Sequence, residues 1–88
     1  MIKITVLFFA SLRELTGLQS TEIVLAEGEE TMSCLLQKLG ESYICLRDII
    51  VDDQISIALN KQYLAKHDAD HILHQNDEVA LLPPISGG

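Results

Sequence analysis

Apolar and polar residues alternate with a period of two along several short stretches of this chain, and with a helical period along one longer stretch. In residues 2–9, Ile4, Val6 and Phe8 alternate with Lys3, Thr5, Leu7 and Phe9. One face is wholly apolar and the other partly so, which predicts a central strand. Residues 11–17 predict one or two helical turns stopped by Gly17. Residues 21–25 alternate enough for a second strand, and the connection from the first is too short for a long helix. A turn at Glu27, Gly28, Glu29 and Glu30 follows. Met32, Leu35, Leu36 and Leu39 then fall at i, i+3, i+4 and i+7, the stripe of a helix lying on a sheet. Thr31 is placed to cap that helix, with acidic predecessors near the positive end of its dipole, and Gly40 weakens or ends it. Residues 42–53 show no single period, and Ile49, Ile50 and Val51 read as packing without regular structure. Residues 55–59 and 62–64 predict two strands around a tight turn at Asn60 and Lys61. Residues 65–75 are polar and loop-like. Asn76 and Asp77 turn the chain into a last strand over residues 78–82. The order is strand, short helix, strand, long helix, strand, strand, strand: an α+β domain with one main helix packed across one sheet.

Composition narrows the function. The chain has 88 residues, 48% hydrophobic and 22% charged, enough for one globular domain over residues 1–82 and no second core. A domain of this size buries only about 60–65% of its unfolded surface, leaving little room for a deep catalytic pocket. Six Lys and Arg against thirteen Asp and Glu give a formal charge of −7. That surface repels nucleic acid and acidic membranes and suits a basic protein partner. The N-terminal apolar run is short, lacks a basic region before it and is followed by Arg13 and Glu14, so it does not read as a signal peptide, and no window approaches a membrane span. The cytoplasm is the default compartment. Cys34 and Cys45 make neither a disulfide framework nor a zinc site by themselves and read as buried free thiols. His67, His71 and His74 have the spacing of a helical metal site, but Asp68, Asp70, Gln75 and Asn76 among them favour a solvated loop, so no metal is expected. Phe8 is assigned to the core, and Arg13 and Glu14 to a solvated helix face.

The last six residues are chemically the most specific. The final strand runs into Pro83, Pro84, Ile85, Ser86, Gly87 and Gly88. Proline lacks an amide hydrogen, so sheet pairing must falter at Pro83 and Pro84, and both favour a stiff extended chain. Residues 83–88 are therefore read as a flexible tail reaching roughly 20 Å from the domain. A chain without Cβ atoms passes through a channel too narrow for other residues, and glycine alone supplies one. The Gly88 carboxylate is the one reactive group exposed enough to enter another protein's active site. It is a poor electrophile, so it must first become a mixed anhydride. Gly87 and Ser86 are then the channel-entry residues. Leu82, Pro83, Pro84 and Ile85 are the candidate partner interface, since strand alternation sends at least one of Leu81 and Leu82 outward. A ubiquitously floppy terminus is the plain alternative.

Residues 77–88, with their strand running into Pro-Pro-Ile-Ser-Gly-Gly, resemble the end of the small, sulfur-carrier subunits of molybdopterin synthase. Residues 6–17 resemble the start of the same family, and Ala58, Leu59 and Asn60 fit its middle. Where that family often has Asp-Gly before the last strand, this chain has Gln75 and Asn76; asparagine tolerates the left-handed geometry such a turn needs. The resemblance implies a ubiquitin-like β-grasp fold with a mixed sheet and an extended C-terminal tail. It also implies that a ubiquitin-activating-like adenylyltransferase, using ATP and magnesium, adenylates Gly88. A sulfur donor of the cysteine desulfurase or rhodanese type then makes a thiocarboxylate there. The sulfur passes to cyclic pyranopterin monophosphate in the large subunit, forming the dithiolene of molybdopterin in a heterotetramer of two small and two large subunits. This chain would be the non-catalytic, sulfur-donating subunit, with no cofactor of its own, and it carries no phosphate-binding glycine loop. A thiamine-type sulfur carrier and a ubiquitin-like protein modifier use the same Gly-Gly terminus and remain the alternatives.

Overall fold

The structure, a computed structural model, describes residues 1–51, 55–64 and 71–83. Its elements are β1 (Ile2–Phe8), α1 (Ser11–Thr16), β2 (Ser20–Leu25), α2 (Met32–Ser42), α3 (Ile44–Val51), β3 (Ser56–Leu59), β4 (Gln62–Tyr63) and β5 (Glu78–Leu82). The strands form one mixed sheet in the order β2-β1-β5-β3-β4. β1 and β5 pair in parallel, with Val6 opposite Val79 and Phe8 opposite Leu81. The other pairs are antiparallel: β1 with β2, β3 with β5, and β3 with β4. β1 lies inside the sheet, between β2 and β5, as one wholly apolar and one partly apolar face predict.

One face of the sheet carries the core. Ile4, Val6 and Phe8 from β1, Leu25 from β2, and Val79 and Leu81 from β5 are buried there. Met32, Leu35 and Leu39 of α2 close over them, so the helical stripe read from the sequence is the packed face. The buried Phe8 ring meets Tyr43 edge-on, with centroids 5.8 Å apart and planes at 75°. Tyr43 also donates its hydroxyl to Thr21 Oγ1 at 3.0 Å, tying the end of α2 to β2.

Local signals place the helix ends. Thr31 Oγ1 accepts from the Cys34 amide at 3.3 Å at the start of α2. The same end is held by the segment beyond residue 70: Met32 N donates to His71 O at 2.9 Å, and Leu73 N to Glu30 O at 2.8 Å. α1 stops at Gly17, whose φ of 74° is the left-handed cap geometry that glycine adopts without steric cost.

Two expectations need correction. Gly40 does not end α2, which runs on to Ser42. Gly40 is buried, and a Cβ there would lie 3.7 Å from the Arg47 Cα of α3, so it marks where the two helices approach closely. Residues 44–51, read as irregular packing, form α3. Leu46 is buried, and Ile49 and Ile50 pack on the core, the i, i+3, i+4 spacing of a helix. The β-branched run at 49–51 masks that period, because tertiary burial overrides its weak helix propensity. Among the described residues α2 is still the longest helix, but three helices cover the core.

Candidate functional site

The residues that lead to the C-terminal tail sit in the middle of the sheet. β5 is flanked by β1 and β3, and its start is fixed by a set of turns. Asn76 has φ 68°, in keeping with the expected tolerance of asparagine for the left-handed region. Its amide donates to Lys3 O at 2.9 Å. The Asp77 carboxylate accepts from the His74 amide at 2.8 Å, and Thr5 N donates to Asp77 O at 3.0 Å.

The turn between β3 and β4 is clamped to the same place. Asn60 and Lys61 both have positive φ, 50° and 73°, as a two-residue hairpin between right-twisted strands requires. The Asn60 side chain donates to Asp77 Oδ1 at 3.0 Å and accepts from the Glu78 amide at 2.9 Å. The Asn60 amide donates to Glu78 O at 2.8 Å. One asparagine thus bridges two turns that are 17 residues apart in the chain.

Alternation along β5 turns Val79 and Leu81 into the core and sends Glu78, Ala80 and Leu82 to the opposite face, which none of the described helices covers. Register places Leu7 of β1 and Ala58 of β3 beside Ala80. With Phe9 and Tyr63 they line a shallow open cleft of about 290 Å³, rimmed by Lys61 and Glu78. Phe9 is 37% exposed and Tyr63 73%, so the apolar floor faces solvent. Leu82 forms one wall, and the chain leaves the sheet at Pro83 beside it. An exposed apolar surface of this kind, with charges only at its rim, is suited to a protein partner.

Of the residues singled out from sequence, Leu82 lies on this open face, half-buried, and Pro83 follows it half-buried. Pro84, Ile85, Ser86, Gly87 and Gly88 lie outside the described residues, as does His67. Phe8 is fully buried, as expected. His71 gives its carbonyl to α2, while the His74 ring lies 3.9 Å from the Asp77 carboxylate. Among the described residues no group of three or more His, Cys, Asp or Glu side chains is placed to hold a metal ion. No described helix is long and apolar enough to cross a membrane. Cys34 is half-buried, and Cys45, expected to be buried, is exposed, its thiol 3.5 Å from the Leu15 carbonyl. The cause is the helix: α3 turns Leu46, Ile49 and Ile50 inward, which rotates Cys45 to the outside.

Leu7, Phe9, Asn60, Lys61 and Tyr63 were not selected as site residues from the sequence. The signal for Leu7 and Phe9 was present in the second apolar face of the first strand. The pairing of Leu7 with Ala80 depended on a parallel register between residues more than 70 positions apart.

The ThiS family profile matches residues 6–88. The molybdopterin synthase sulfur carrier subunit of Arabidopsis thaliana is 36% identical over 87 residues, covering 99% of this chain and 84% of that protein. The small archaeal modifier protein 1 of Methanosarcina acetivorans is 28% identical, with a TM-score of 0.81 over 100% of this chain and 98% of that one. A complex of subunits 1 and 2 of molybdopterin-converting factor from Helicobacter pylori contains a chain that is 22% identical, with a TM-score of 0.70 over 99% of this chain and 100% of that one. At that identity the likeness speaks for the fold. The mixed five-stranded sheet with helices packed on it agrees with the ubiquitin-like β-grasp fold of these structures, and the chain belongs to the ThiS family, together with its molybdopterin synthase sulfur carrier subunit relatives.

Proposed function

We propose that this chain carries sulfur as a thiocarboxylate on Gly88 and delivers it within molybdopterin synthase. A Gly88 carboxylate oxygen attacks the α-phosphorus of ATP in a ubiquitin-activating-like adenylyltransferase, and pyrophosphate leaves. Sulfur supplied by the donor at the oxidation level of sulfide displaces AMP and leaves the thiocarboxylate. Inside the large subunit the sulfur is transferred to cyclic pyranopterin monophosphate, and water returns Gly88 to a carboxylate. Two such transfers complete the dithiolene. Catalytic acids and bases belong to the large subunit, and ATP and magnesium to the activating enzyme. Two small and two large subunits form the working assembly.

The observation that carries this reading is the sequence Pro-Pro-Ile-Ser-Gly-Gly directly after a central strand whose outward residues join an exposed apolar cleft. The domain supplies a partner-facing surface and the tail supplies the reactive atom. The test is the intact mass of the protein after incubation with ATP, magnesium, an activating enzyme and sulfide. A gain equal to replacement of one oxygen by sulfur is expected, and its location on Gly88 is read by fragmentation. Loss of the gain on deletion of Gly88, with the fold retained, is the matching control. A mass that never shifts under these conditions sinks the proposal.

The likeness to a small archaeal modifier protein keeps one second reading in view, in which Gly88 is joined to lysines of other proteins. Gly-Gly remnants on lysines after digestion would mark that activity. Rescue of a thiamine-deficient strain in place of a molybdenum-cofactor-deficient one would point to the thiamine-type carrier.

A further inference from the structure

We propose that Lys61 is the charged anchor of the open cleft, pairing its ammonium with a carboxylate on the molybdopterin synthase large subunit; this rests on the sulfur-carrier reading above. Two independent observations carry it. The first is conformational. Lys61 has φ 73°, in a two-residue turn where glycine fits without steric cost and a side chain does not. Strained positions held by a non-glycine residue concentrate at functional surfaces. The second is electrostatic. This chain has only six Lys and Arg against thirteen acids. Lys3 is paired with Glu22 and Lys38 with Glu29, each at 3.4 Å. The Arg13 guanidinium lies against the Phe8 carbonyl, and Arg47 packs beside Gly40 on the helical side. Lys61 alone among the described basic residues lines the cleft, and it has no ion pair there among the described residues.

The occupant follows from the lining. Leu7, Phe9, Tyr63 and Leu82 call for an apolar protrusion. Glu78 gives the rim a second, opposite charge. The fitting partner therefore presents an acid to Lys61 and a base to Glu78 around an apolar centre. Docking excludes water from the cleft, which strengthens the Lys61 pair relative to one left in solvent. The cleft is lined by Leu82, and Pro83 follows it, so a partner seated there lies beside the start of residues 83–88.

The experiment measures the affinity of the full chain for the large subunit at low and high salt, alongside the thermal midpoint. Lys61→Gln keeps the turn strain and removes the charge. It should bind about fivefold more weakly at low salt and lose part of the salt dependence. Lys61→Arg should restore both, and Lys61→Glu should bind more weakly than Lys61→Gln. Lys61→Gly should lose affinity equally while its thermal midpoint holds or rises by up to about 4 °C, because the strain is relieved. A large subunit that binds wild type and Lys61→Gln alike, with the same salt dependence, overturns the anchor and leaves the carrier function standing. A large subunit that binds no wild-type chain overturns both.

Discussion

Replacing Asn60 with glycine removes two side-chain hydrogen bonds while keeping a backbone free to hold φ 50°. One bond goes to the Asp77 carboxylate at 3.0 Å and the other comes from the Glu78 amide at 2.9 Å. Both lie in exposed surroundings, so water competes, and each contributes about 1 kcal/mol. The expected loss is about 2 kcal/mol. For a domain of this length that lowers the thermal midpoint by roughly 10 °C. Alanine loses the same bonds and must also carry a Cβ in the left-handed region, which costs about 1 kcal/mol more. The predicted order is therefore wild type, then Asn60→Gly, then Asn60→Ala. Urea denaturation followed by far-UV circular dichroism reads all three, and the slope with denaturant should not change, since the compact state is the same. Asn60→Gly within about 0.5 kcal/mol of wild type would mean the clamp contributes nothing. Alanine above glycine would mean the turn does not hold its left-handed geometry.

Three further substitutions test separate links. Tyr43→Phe removes the hydroxyl bond to Thr21 and leaves the ring on Phe8, so a loss of about 1 kcal/mol is expected in denaturant melts. A neutral result would show the hydroxyl to be satisfied equally by water. Gly17→Ala meets no atom within 4 Å, so its cost of about 1 kcal/mol is purely conformational; an unchanged midpoint would refute the left-handed cap. Leu82→Asp places a charge on the apolar cleft wall while Leu81 keeps the core. It should abolish complex formation with the large subunit, measured by calorimetry, with only a small change in melting temperature. Undiminished binding would mean that the cleft is not the docking face.

Local chemistry explains which parts of the fold were legible. The first strand, the short helix ended by Gly17, the long helix capped by Thr31 and the hairpin at Asn60 and Lys61 all follow from period, capping and turn residues within a few positions of one another. α3 escaped because its Ile49, Ile50 and Val51 favour strands in isolation, while Ile49 and Ile50 pack on the core as part of a helix. Gly40 read as a helix end because glycine is a weak helix former, whereas the structure places it inside α2, packed against Arg47 of α3. Cys45 read as buried because its neighbours in sequence are apolar, whereas its outward direction is set by which side of α3 meets the sheet.

The sequence by itself determined the α+β class, because alternation, helical period, proline and glycine act through the backbone of their own segment, and its last six residues are the source of the proposed carrier chemistry. It also supplied the family resemblance. Tertiary structure alone decided the cleft and its rim. Leu7, Ala58 and Ala80 become neighbours through strand register, and Asn60 meets Asp77 across two turns. Such contacts join residues distant in the chain, and pairing geometry, which no local pattern encodes, selects them.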